Sequence, residues 1–95
     1  LNHKLMPNIE EIIAKLKEAV CRINVTIDED EISLDQGLMG EGIIDSFGFV
    51  EFVTFIEEEF DINFDDGEID EDNFANLVAI SQFILKKLSE QKNSV

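Results

Sequence analysis

GIIDSFGFVEFVTFIEEEF, residues 42–60, decides how the rest of the chain is read. Counted at about 100° per residue, Phe49, Val50, Phe52, Val53, Ile56 and Phe60 fall on one broad apolar face of a helix. The opposite face carries Glu51, Thr54 and Glu58, and Phe47 stands in line with them, an apolar residue on an acidic, outward side. Gly48 beside it is expected to leave open space. Ser46 sits at the mouth of this helix.

The flanking sequence supplies partners for that apolar face. In NIEEIIAKLKEAVCRI, residues 8–23, Ile9, Ile12, Ile13, Leu16, Val20 and Ile23 recur at helical spacing. Asn8 with Glu11 three residues on forms a capping-box pattern, just after Pro7. Toward the C-terminus, Leu77, Ile80, Ile84 and Leu88 repeat the period. Asn76 is placed to cap that helix, and Lys86 and Lys87 to serve its last turn. EDNF, residues 71–74, reads as one short helical turn. Between the first two helices lies a loop of about twenty residues, long enough to be functional or self-packed. Its spaced Ile27, Ile32, Leu34, Leu38 and Met39 are expected to pin it to the core, as Ile62 and Phe64 pin the next loop. No strand pattern intervenes. The expected fold is all-α, a bundle of three main helices and one short one. The chain divides into residues 1–6 as a tag or irregular N-terminus, with Met6 as the native start, residues 7–90 as one domain, and residues 91–95 as a tail.

Charge narrows the partners. The net charge is -15 over 95 residues, and the seven basic residues all lie at or outside Arg22 and Lys86. No lysine or arginine occurs between those two positions, and most of the 22 acids do. Nucleic acid and anionic membranes are repelled by such a surface, so charged partners should be basic. The apolar runs are too short for a membrane span. A single Cys21 permits no internal disulfide, fits a reducing, cytoplasmic setting, and reads as a small half-buried hydrophobe rather than a reactive thiol. Glu57, Glu58 and Glu59 crowd the end of the 42–60 helix, where an exposed carboxylate costs about 0.3–1 kcal/mol against the helix dipole. No lysine lies four residues away to offset them. Retaining them suggests a docking face for a cationic partner, with Phe47 as an apolar anchor in an acidic field.

Three roles are open to Ser46. It could be a helix cap. It could be a hydrolytic nucleophile, but the only histidine is His3 in the expected tag, and no glycine-serine-glycine elbow surrounds it. Or its hydroxyl could be modified, because a phosphodiester there would meet the free N–H groups and positive dipole of the helix start.

Residues 42–60 resemble the acyl carrier protein family, which includes the peptidyl and D-alanyl carriers. The likeness rests on Asp45-Ser46-Phe47, close to the family's Asp-Ser-Leu opening its second helix, on Gly42-Ile43-Ile44 before it and Glu57-Glu58-Glu59-Phe60 after it. Asn73-Phe74 matches a further feature, and the likeness spans residues 9–88. The resemblance implies a four-helix carrier fold that performs no chemistry itself. It implies that a Mg²⁺-dependent phosphopantetheinyl transferase attaches the phosphopantetheine arm of coenzyme A to Ser46, with Asp45 assisting recognition or modification. The arm's thiol would then hold an acyl or aminoacyl group as a thioester. Phe47, Glu51, Thr54 and Glu58 would dock basic patches on the loading and transfer enzymes, and the carrier itself would be a monomer. Two departures stand out: Phe47 replaces the usual leucine, and Gly48 stands where carriers of fatty acid synthesis commonly have an acid. Asp-Ser-Phe-Gly looks closer to discrete carriers for amino acids, D-alanine or specialised metabolites.

Two other readings suit an acidic helical protein. One is an adaptor that docks basic partners with Ser46 unmodified. The other is a calcium binder using DINFDDGEIDED, residues 61–72, where Asp61, Asn63 and Asp65 match EF-hand positions. There, however, Asp66 replaces the turn glycine and Asp72 the final glutamate, and DEDEISLDQGLM fits no better.

Overall fold

The computed structural model describes residues 7–93, with side chains to Gln91. Residues 1–6, expected to be a tag, lie outside the described residues. Three α-helices form: α1, Ile9–Ile23; α2, Ser46–Phe60; and α3, Leu77–Asn93. Helix α1 packs on both of the others. No strand occurs among the described residues.

The capping box at the start of α1 forms as its sequence predicts. The Glu11 N–H donates to Asn8 Oδ1 at 2.8 Å, and the Asn8 N–H donates to Glu11 Oε1 at 2.9 Å. Asn76 likewise caps α3, accepting from the Ala79 N–H at 2.8 Å. The stripes of α1 and α3 meet in the core, where Ile12, Leu16, Val20, Leu77, Ile80 and Ile84 are fully buried beside Phe52 and Ile56 of α2. Each such side chain contributes about 1.5–3 kcal/mol relative to exposure. Ser81 is buried among them, and its hydroxyl is satisfied by the Val78 carbonyl at 2.9 Å.

The long first loop is self-packed. Ile32, Leu38, Ile43 and Ile44 enter the core and Ile27 leans on it, while Leu34 and Met39 stay largely exposed, contrary to the expectation that they would be anchors. What Leu34 supplies is its carbonyl, which accepts from the Val78 N–H at 3.2 Å and so satisfies a first-turn donor of α3. The Leu38 N–H is tied to the Ala75 carbonyl at 3.3 Å. Ile62 and Phe64 are buried as expected.

The short helix expected at residues 71–74 is reduced to less. A 3₁₀ turn forms earlier, at Asp66–Glu68, and residues 71–74 are a turn closed by the Phe74 N–H on the Asp70 carbonyl at 3.1 Å. This segment is held by rings rather than by helical periodicity. Phe64 stacks on Phe83 at 5.5 Å, and Phe74 meets Phe49, Phe64 and Phe83 edge-on at 5.6, 5.2 and 6.2 Å. Lys87, expected near the end of α3, lies six residues short of it and serves another purpose. Its ammonium reaches Glu68 at 2.9 Å and lies over the Phe64 ring, fastening α3 to the 3₁₀ turn.

Candidate functional site

Helix α2 opens differently from the simplest reading of its sequence. The cap is Asp45, not Ser46: Asp45 is extended, and its Oδ1 accepts from the Gly48 N–H at 2.8 Å. Ser46 is therefore the first helical residue. Its side chain is exposed and forms no hydrogen bond among the described residues. The N–H groups of Ser46 and Phe47 likewise find no partner among the described residues. No carboxylate occupies the first turn of α2. An exposed hydroxyl, two unengaged donors and the positive end of a fifteen-residue helix suit a phosphodiester on Ser46 Oγ.

Gly48 is closely packed, contrary to the open space expected from the sequence. It is buried against the end of α1, and a Cβ there would come within 2.8 Å of Ile23 Cγ2, 3.3 Å of Asp45 Oδ1 and 3.4 Å of Ile44 Cβ. The glycine allows α1 to press on the first turn of α2 and hold Asp45 and Ser46 against a rigid element.

Along the outer face of α2, Phe47, Glu51, Thr54 and Glu58 are all exposed, Phe47 by 84%. Thr54 Oγ1 donates back to the Val50 carbonyl at 3.0 Å. Val50 joins this surface. Counted with the core from its wheel position, it is 64% exposed and stands one turn beyond Phe47. The face that α2 buries is narrower than its pattern suggests, centred on Phe52, Val53 and Ile56, with Phe49 and Phe60 only half-buried.

The three glutamates at the end of α2 also separate in role. Glu57 Oε2 accepts from the Phe64 N–H at 2.9 Å, closing the loop after the helix. Glu59 pairs with Lys15 of α1 at 3.1 Å, a surface contact worth about 0.2–1 kcal/mol. Glu58 is exposed and takes no partner among the described residues, so its charge meets the negative end of the α2 dipole uncompensated. Cys21 is half-buried against the core. Burial, with Glu29, Asp28 and Glu31 nearby, pushes its thiol above the usual range.

Within residues 61–72, Glu68 and Asp70 turn their carboxylates to nearby backbone N–H groups, and Glu68 also to Lys87. Asp61 is the left-handed C-cap of α2, Glu68 accepts from the Asp65 N–H at 2.8 Å, and Asp70 accepts from the Asn73 N–H at 2.8 Å. Among the described residues no three carboxylate, histidine or cysteine side chains converge to hold a metal ion. No helix among them is long and apolar enough to cross a membrane.

Residues 14–84, well over half of the chain, match the family described as a phosphopantetheine attachment site. The fold is similar to the solution NMR structure of a holo acyl carrier protein from Nitrosomonas europaea, with a TM-score of 0.65 and 28% sequence identity over 88% of this chain and 99% of that one. No curated protein matches the chain closely enough to count as a relative. Together, the family match across the core and the shared fold show that the chain belongs to the acyl carrier protein family, carriers rather than catalysts, with phosphopantetheine as its covalent cofactor.

Proposed function

We propose that Ser46 is the attachment point and that the outer face of α2 docks the enzymes that load and unload a small acyl or aminoacyl group. The observation that carries this reading is the exposed, unengaged Ser46 hydroxyl in the first turn of α2, within the matched region. In loading, Ser46 Oγ is the nucleophile. It forms a bond to the phosphorus that bears pantetheine in coenzyme A. The pyrophosphate link breaks, adenosine bisphosphate leaves, and the serine proton passes to a base on a Mg²⁺-dependent phosphopantetheinyl transferase. The arm supplies a terminal thiol that holds the cargo as a thioester.

Asp45 is suited to aid that step. Its Oδ1 is engaged by the Gly48 N–H, which fixes the carboxylate one residue from the nucleophile and leaves Oδ2 for the transferase. Phe47 is the docking anchor, and Glu51 and Glu58 meet basic side chains on partners, with Thr54 between them. The net charge of -15 supports cationic partner surfaces and steering toward them. Phe47 and Gly48 in place of leucine and an acid favour a discrete carrier for amino acids, D-alanine or specialised metabolites over one for fatty acid synthesis. It works as a cytoplasmic monomer. Loading with coenzyme A, Mg²⁺ and a broad-specificity transferase, followed by peptide fragmentation, tests the attachment point. The group is expected on Ser46, and finding it on any other residue contradicts the assignment.

A further inference from the structure

The chain reaches Ser46 through a short strap, residues 42–45, which is pinned to two separate elements. Gly42 turns into it with a φ of 75, and the Gly42 N–H donates to the Met39 carbonyl at 3.0 Å. The peptide between Ile43 and Ile44 is then held at both ends. Its N–H, that of Ile44, donates to the Leu38 carbonyl of the long first loop at 3.1 Å. Its carbonyl, that of Ile43, accepts from Asn24 Nδ2 at the end of α1 at 2.8 Å. One peptide thus joins the first loop to α1 immediately ahead of the Asp45 cap. Ile23, the residue before Asn24, packs against Gly48, so the end of α1 grips the chain on both sides of Ser46.

Asn24 is itself held in place. It is the C-cap of α1, its N–H donating to the Val20 carbonyl at 2.8 Å, and its carbonyl accepts from the Ile27 N–H at 3.3 Å. Asn24 Oδ1 accepts from the Thr26 N–H at 3.1 Å and from the Thr26 hydroxyl at 2.6 Å, which leaves Nδ2 aimed at the strap. The primary amide supplies an acceptor for the turn and a donor for the strap at once, whereas an ionised aspartate only accepts. Ile43 and Ile44 are buried and set how deep the strap lies, but apolar burial is non-directional. The direction of the 43–44 peptide, and with it the path into Asp45 and Ser46, is set by its two hydrogen bonds.

We propose that Asn24 is a positioning residue for loading: through the Ile43 carbonyl it fixes the path of residues 43–45, and so where Ser46 Oγ stands when a transferase is docked on α2. The inference rests on attachment at Ser46. Asn24 belongs to the end of α1, apart from Phe47, Glu51, Thr54 and Glu58 on α2. Its tie therefore bears on the alignment of the nucleophile and not on the strength of docking. Misplacing a reacting group by about 1 Å can cost about a hundredfold in rate.

The test follows loading of the full chain with coenzyme A, Mg²⁺ and a phosphopantetheinyl transferase by intact mass, over a range of carrier concentrations that yields kcat and KM separately. Circular dichroism first shows that each variant is folded at the assay temperature. Asn24→Asp keeps the acceptor for the 24–26 turn and removes the donor to the strap; Asn24→Ala removes that donor without adding a charge. Both are expected to lower kcat by about ten- to a hundredfold with KM near the wild-type value. Thr26→Val removes the hydroxyl from the turn, leaves the strap bond in place and should load as the wild type does. Folded Asn24 variants with wild-type kcat overturn the proposal, as does a rise in KM alone, which would make Asn24 a docking residue. A matching fall in Thr26→Val moves the effect from the strap to the turn and overturns it too. If neither Asn24 variant folds, the residue determines the fold and the positioning role is refuted. A wild-type chain that fails to load, or loads on another residue, removes the attachment at Ser46 itself, a result that no Asn24 variant can imitate.

Discussion

Replacing Gly48 by alanine puts two general effects in opposition and lets the structure decide the sign. In a helix, glycine to alanine ordinarily stabilises by about 0.5–1 kcal/mol through backbone entropy. Here the new methyl would lie 2.8 Å from Ile23 Cγ2, far inside the roughly 3.5–4.0 Å at which carbon atoms rest. Ile23 cannot simply swing aside, because a β-branched side chain at a helix end has one strongly preferred rotamer. The same methyl crowds Asp45 Oδ1 at 3.3 Å, the atom that caps the helix. Overpacking of this kind costs about 1–3 kcal/mol, so the expected net effect is a loss of about 1 kcal/mol. In a domain of this size that lowers Tm by about 4–8 °C. Ile23→Leu moves the branch off Cβ and should relieve the clash, so alanine at 48 should cost less in that background, with a coupling of about 0.5–3 kcal/mol in a double-mutant cycle. Thermal and urea melts followed by circular dichroism read all four proteins. A Gly48→Ala chain that melts at or above the wild-type temperature would refute the packing argument.

Asp45→Ala should cost about 0.5–2 kcal/mol in chemical denaturation, as loss of a cap does, whereas Ser46→Ala at the first helical position should cost about 0.5 kcal/mol or less; equal losses would contradict the assignment of the cap. Glu58→Lys should weaken association with a phosphopantetheinyl transferase and flatten its salt dependence while leaving the melt near wild type; binding unchanged at low salt would count against the docking face. The Glu68 carboxyl is held below the usual glutamate range, first by the Asp65 N–H and then by Lys87. Its stabilising contribution is therefore complete above the ordinary glutamate pKa of about 4.3 and is lost as the pH falls through the lowered native value. Carboxyl-resolved NMR titration should show Lys87→Met raising that pKa only part of the way, and no change would remove Lys87 as a cause.

The parts of the fold visible in the sequence are those governed by neighbours in the chain. Asn8 with Glu11, Asn76 with Ala79, and the stripes through Leu16 and Ile80 depend on spacings of three and four, and they form as read. Contacts between distant segments were not visible. Glu57 and Glu59 look equivalent to Glu58 until the Phe64 N–H and Lys15 arrive from elsewhere. Val50 is apolar and correctly phased for a broad face, but α1 covers only a narrow one. Gly48 reads as a gap because its neighbour, Ile23, is 25 positions away in the chain. At the site itself, Asp45 and Ser46 are both good caps, and sequence alone does not choose between them. In the fold Asp45 is the cap, its Oδ1 accepting from the Gly48 N–H. Residues 71–74 form no helix, and Phe64, Phe74 and Phe83 hold that segment by ring contacts that need no helical period.

Intact mass after loading decides whether Ser46 carries the arm. The chain and its Ser46→Ala variant are incubated side by side with coenzyme A, Mg²⁺ and a phosphopantetheinyl transferase, each first shown to be folded by circular dichroism. The wild type is expected to gain the mass of one phosphopantetheinyl group and the variant none. The same gain on both proteins would contradict Ser46 as the attachment point, and no gain on the folded wild type with several transferases would contradict the carrier function itself.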